Sequence, residues 1–341
     1  MWDTKRAAIL FLALTMFMVY RNKEVPAKFL CDPPHTTSAS NKARDAARHS
    51  KSPAHLTSFA VHSMKDSQVQ ESARREIAVA YAHAGDQKSA TNILTLRHEV
   101  QSGDVGRYTI TVQCEIALAL AETRKQAQAL ELLNQTEDIV SIIEFASEKP
   151  EALCEIGGAF DYAGDRERAI TILEQAFEAA QSLGDAGNRV TRLTVIAHAL
   201  IQAKNRERAF AVLKQALEVS ESIELANNKA TALSEIAVVL IHGGDREQAL
   251  LTLKPALEVA QSIEKVGPRE TNLYKVASAI ALAGDGDQAV VVAQRIENPN
   301  SKAATLREIA KGLAESGDGK KGLEVANLTC LTNFGHSEGR L

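Results

Sequence analysis

LCEIGGAFDYAGDRERAITILEQA, running from Leu153 to Ala176, is the stretch whose reading decides the fold. Ile156 and Phe160 stand four residues apart, which puts two large apolar side chains on one face of a helix. Between them, directly after the Ile, sits the small Gly157. Gly164 supplies the left-handed backbone that ends such a helix. Asp165 then accepts from the free N–H groups that open the next one, where its charge also meets the positive end of the dipole. Ala169, Leu173 and Ala176 continue at helical spacing as the inner face of a second helix. One unit therefore reads as a helix, a tight turn and a second helix.

The same pattern recurs outward in both directions. Its anchors are Ile77, Ile116, Ile156, Ile196, Ile236, Val276 and Ile309, at steps of 39, 40, 40, 40, 40 and 33 residues. The residue after each anchor is small: Ala78, Ala117, Gly157, Ala197, Ala237, Ala277 and Ala310. A second small column follows thirteen residues past the anchor, from Ala90 through Ala289 to Gly322. Small residues in register with large ones mark places where two helix backbones approach closely. Self-similarity at this period marks a stacked array whose units cannot bury their apolar faces alone. Two connectors depart from the Gly-Asp pair, Arg124-Lys125 and Lys204-Asn205; Asn205 can still cap, so the Arg124-Lys125 turn is expected to be the weakest.

The small residue after the anchor, the large one three on, the Gly-Asp turn and the paired Ala columns resemble the tetratricopeptide repeat over about 260 residues, with Leu153 to Ala176 the closest copy. The resemblance implies an all-α, right-handed helical-repeat solenoid of about seven antiparallel helix pairs, with the first helix of each pair lining a concave groove. The period departs from the 34 residues of that family, and the extra length is expected to extend the second helix of each pair, as in the long units of kinesin light chains. HEAT-like repeats are the competing reading on period alone; the Gly-Asp turn and the Ala columns weigh against them.

Composition agrees. Hydrophobic residues make up 45% of the 341 and aromatics 4%, so the core is built from Ala, Leu, Ile and Val, which suits close helix packing. Residues 1–66 carry 10 Lys/Arg against 5 Asp/Glu, whereas the remainder carries 29 against 38. An acidic body disfavours a nucleic-acid partner, because phosphate binding draws on Lys and Arg. Four cysteines form neither a disulfide framework nor a metal-ligand cluster. Cys114 and Cys154 occupy one column of adjacent units and are expected to be buried packing residues, since equivalent helices lie about 10 Å apart.

Four regions follow. Residues 1–24 read as an N-terminal signal sequence or membrane anchor: Lys5 and Arg6 precede the apolar run Ala7 to Tyr20, and Arg21 and Lys23 follow it. As a helix that run is about 21 Å long, short of a ~30 Å hydrocarbon core. Cleavage, anchoring and a disordered leader all stay open. Residues 25–66 read as a flexible basic linker, rich in Pro, Ser and Thr, with a short capping helix near Ala54 to Met64. Residues 67–332 are the solenoid and 333–341 a tail.

The resemblance implies that three columns face the groove, two before, two after and six after the anchor. Candidate binding residues in them are Arg75, His83, Glu122, Tyr162, His198, Gln202, His242, Tyr274 and Arg307. The Lys and Asn set with which chaperone-binding relatives hold a peptide carboxylate is missing from these columns. His198, His242, Gln202 and Tyr162 are close enough in the repeat register to raise a metal or general-base reading. No His-Glu-x-x-His, Cys-x-x-Cys, phosphate loop or nucleophile elbow accompanies them. The expectation is a non-catalytic scaffold, without cofactor or metal, that binds a protein or peptide in its groove, exported or membrane-tethered through Ala7 to Tyr20, or otherwise cytoplasmic. A regulatory or RNA-binding repeat protein and a metal-dependent all-α enzyme are the alternatives.

Overall fold

The computed structural model describes residues 67–95, 105–143 and 147–334. Among them are fourteen α-helices and no strand. In chain order these are α1 (Ser67–His83), α2 (Gln87–Thr95), α3 (Val105–Glu122), α4 (Gln126–Ile139), α5 (Lys149–Tyr162), α6 (Arg166–Gln181), α7 (Ala186–Gln202), α8 (Arg206–Ser220), α9 (Ala226–Gly243), α10 (Arg246–Ser262), α11 (Val266–Leu282), α12 (Gly286–Gln294), α13 (Pro299–Ser316) and α14 (Gly319–Phe334). They make the seven pairs that the anchors predict. The expected leader, linker and capping helix, residues 1–66, and the last seven residues of the tail lie outside the described residues. Among the described residues no helix is long and apolar enough to cross a membrane.

The helices group into two compact units, one built on α1–α4 with the turn Tyr162–Asp165, the other on α5 up to Asp161 and α6–α14. In the first, α1 packs on α2, α3 on α4, and α1 on α3. In the second, α7 packs on α8, α9 on α10, α11 on α12 and α13 on α14, while α7, α9, α11 and α13 also pack on one another in succession. Each helix of that series thus touches its own partner and its equivalent in the next repeat, which is how a one-dimensional array buries its core.

Burial follows the columns. Ile116, Ile156, Ile196, Ile236, Val276 and Ile309 are fully buried, and so are Ala90, Ala129, Ala169, Ala209, Ala249 and Ala289. Each buried Ile or Val contributes about 1.5–3 kcal/mol relative to exposure. The small columns are steric requirements. A Cβ on Gly157 would lie 3.0 Å from Leu173 Cγ and 3.3 Å from the Ala169 carbonyl oxygen, the second small column of the same unit. Cys114 and Cys154 are buried, as expected.

The turns are built as the sequence predicts. Gly85, Gly164, Gly244, Gly284 and Gly317 all have φ between +78° and +100°. At Gly244 the glycine N–H donates to Ile241 and the Asp245 N–H to Leu240, the paired bonds of a Schellman ending. Asp86, Asp245, Asp285 and Asp318 each accept, at 3.0 Å, the backbone N–H three residues on, and Asn205 does so at 3.3 Å. The divergent turns keep the same backbone: Arg124 and Lys204 adopt the left-handed conformation at φ 63° and 62°, at a cost that glycine avoids. Lys125 cannot cap α4; its ammonium instead donates to the carbonyl of Gly85 in the preceding turn.

The extra length of the 40-residue unit falls in the second helix, as expected: first helices α7, α9, α11 and α13 keep 17, 18, 17 and 18 residues whatever the step. Second helices α6, α8 and α10 of the 40-residue steps have 16, 15 and 17 residues. The short last step falls on α12, only 9 residues long.

Candidate functional site

In the second unit, α7, α9, α11 and α13 line an open groove of about 580 Å³. Its apolar surface comes from Val195, Val238, Val239, Ala279 and Leu282, one or two residues from each of three successive first helices. Val195 is exposed, and Tyr274 is 36% exposed, so the surface includes apolar side chains facing solvent. Thr194, Ser234 and Ser278 add hydroxyls. Thr194 and Ser234 spend theirs on carbonyls of their own helices, those of Val190 and Ala230. The buried Ser278 Oγ has no hydrogen-bond partner among the described residues, a state that costs free energy until a partner or water meets it.

His198 and His242 lie side by side here, their ring centroids 5.5 Å apart and their planes tilted by 50°. They come from different columns of adjacent repeats, two and six residues past the anchor, and the packing of α7 on α9 brings them together. Burial pushes the His198 pKa below its ordinary value, and a charge on His242 pushes it in the same direction. Among the described residues neither histidine has a carboxylate at ion-pair distance, and no three His, Cys, Asp or Glu residues are gathered as a metal site would need. Charge at the groove comes from Glu235, Lys275, Glu308 and Glu315. Lys275 sits 3.8 Å from Glu235, and Lys311 bridges Glu308 at 3.5 Å and Glu315 at 3.8 Å.

The nine candidate residues are therefore distributed as follows. His198, His242 and Tyr274 line the groove. Gln202, exposed at the end of α7, is not part of its lining, nor is Arg307, which donates back to the Ala303 carbonyl of its own helix at 3.4 Å. In the first unit, Arg75 donates through Nε to Glu115 at 2.6 Å. His83 lies 3.6 Å from Glu122, whose other oxygen accepts from the Tyr162 hydroxyl at 3.4 Å. These are exposed pairs between equivalent helices, of the kind that contributes about 0–1 kcal/mol.

Sequence reasoning missed Thr191, Val195, Glu235, Val239, Lys275, Ala279, Glu308 and Gly312, all of which line the groove. The available signal was helical adjacency: these positions fall three or four residues from the chosen columns and so widen each stripe on the same face.

A comparison with protein-family models finds no match, nor does one with characterised proteins. Among solved structures, the chain is similar to a kinesin-light-chain protein of Podosopora anserina with nearly identical TPR-like repeats (14% identity, TM-score 0.39, 57% of this chain and 99% of that one). It is also similar to a STAND signal-transduction ATPase with a tetratricopeptide repeat sensor from Pyrococcus horikoshii (14%, 0.40, 87% and 46%). A third is a Rap protein complexed with competence and sporulation factor (15%, 0.38, 96% and 87%). The first two are described as carrying TPR-like or tetratricopeptide repeats; at such scores the likeness carries no weight of its own, and the repeat architecture rests on the helix pairs described above.

Proposed function

We propose that this chain is a non-catalytic protein-protein interaction scaffold that takes a peptide or helix of a partner along α7, α9, α11 and α13. The observation that carries the reading is the groove itself: an apolar surface contributed in register by successive repeats, with the unpartnered hydroxyl of Ser278 in its lining. Such a surface docks alternate or i, i+4 apolar side chains, and modest affinity per repeat sums along the array. A paired histidine with no carboxylate to orient it is poorly equipped as a general base. The acidic balance of residues 67–341 disfavours a phosphate backbone.

The test is site-specific photocrosslinking in the native cell. A crosslinker at Val238 in the groove should yield a discrete protein adduct that Ser278→Arg abolishes, whereas one at Leu251, exposed on α10, should not. Equal adducts from both positions, or none from Val238, would remove the groove from the reading.

Export or membrane tethering through Ala7 to Tyr20 belongs to the same proposal, on the charged-apolar-charged layout of that segment. Cell fractionation of the full chain and of a chain lacking residues 1–24 tests it. Identical distribution of the two forms overturns it.

A further inference from the structure

We propose that the groove carries its own acid switch, the adjacent His198 and His242, whose protonation closes it to apolar partners. The inference rests on the scaffold reading and adds regulation to the same site. Both imidazoles line an apolar trough, and their rings are 5.5 Å apart. An occupant that covers them removes water from both, which disfavours the charged form of each. Charging both would also set two cations against one another at short range. Docking of an uncharged segment therefore requires neutral rings, and any proton present beforehand must leave.

Among the described residues no carboxylate stands at ion-pair distance from either ring. Of the lining charges, Glu235 faces Lys275, and Glu308 and Glu315 share Lys311. On α7 itself, Arg192 pairs with Glu151 at 2.7 Å, and Arg189 donates to the Leu183 carbonyl. On α6 and α8, the other helices packed on α7, Arg208 is held bidentate by Glu174, and no residue of either helix lines the groove. Because burial already holds His198 below the ordinary histidine range, the groove is open at neutral pH and closes only under acid conditions.

The experiment uses the full chain and an uncharged probe: an N-acetylated, C-amidated Ala/Leu helical peptide with Gln at its ends and an environment-sensitive dye. Its Kd is measured by fluorescence from pH 7.5 to 5.0. The expected result is a rise of about tenfold, the effect of one linked proton over one pH unit, with a flat profile in H198Q/H242Q. The same peptide with Glu at its ends should move the other way in the wild type, which separates the switch from acid unfolding. Helical circular dichroism at each pH confirms that both proteins stay folded. A rise of less than threefold, an equal rise in the double variant, or no binding at any pH overturns the switch. Adducts at Val238 at neutral pH would then still stand for the scaffold reading, so the two failures are distinguishable.

Discussion

The backbone of α14 crosses α13 so closely at Gly322 that a Cβ there would lie 2.7 Å from the carbonyl oxygen of Ala310. Gly322 is the one glycine among the seven members of the second small column. Gly322→Ala should destabilise the chain by about 1–3 kcal/mol through overpacking against main chain that has no rotamer to yield. Gly319→Ala, three residues earlier on the same helix with open space around it, should be neutral or slightly stabilising. A pair of thermal melts decides; equal midpoints for the two variants would contradict the packing argument.

Lys204 holds a left-handed backbone that the equivalent turns give to glycine. Lys204→Gly should therefore raise stability by about 0.5–1 kcal/mol, the strain relieved exceeding the extra freedom gained by the unfolded chain. The reverse change, Gly244→Ala, should cost about 1–2 kcal/mol. Urea midpoints at constant m-value report both.

Pro255 lies inside α10, where the matching residues of the two preceding repeats are Gln175 and Gln215. It is exposed, so its ring serves no core, and it deprives the Leu251 carbonyl of a helical donor. Pro255→Gln should stabilise the protein, by up to about 3 kcal/mol. A melting temperature that falls instead would mean that the proline is accommodated without loss.

Glu270 is buried on α11, and its Oε1 accepts the backbone N–H groups of Glu297 at 3.0 Å and Asn298 at 2.7 Å. That bond pins the connector after the short α12 to the core. Glu270→Ala leaves two amides short of an acceptor and should cost about 2–3 kcal/mol. Amide exchange at residues 297 and 298 should accelerate well beyond that of α9; uniform acceleration would argue for a general loss of packing instead.

The His198 pKa is lowered in the fold, so the unfolded chain binds its proton more readily than the native one. Stability from this group is complete above the unfolded value of about 6.5 and is lost as pH falls through it towards the lowered native value. His198→Gln removes that slope. Denaturant midpoints of the wild type should therefore drop relative to the variant between pH 7 and pH 5; parallel profiles would refute the assignment.

Much of this protein was legible in its sequence because helix pairing is a local matter of residue size and periodicity. The anchors, the two small columns, the Gly turns and the Asp caps each depend on neighbours within one unit, and each lies where the register of Leu153 to Ala176 places it. The departure of the Arg124-Lys125 and Lys204-Asn205 turns from Gly-Asp was visible too, but their left-handed backbone shows only in the structure.

The site was less legible because its members come from four helices about 40 residues apart, and the sequence does not state how one repeat is rotated against the next. Only the packing of α7 on α9 decided that His198 meets His242, from two different columns, and that Gln202 stays outside. Likewise the polar fastening of Glu270 arises where its carboxylate meets the backbone of the connector at residues 297 and 298. Size in register dictates that helices stack; the angles at which they stack, set by the whole of each interface, dictate which side chains share a surface.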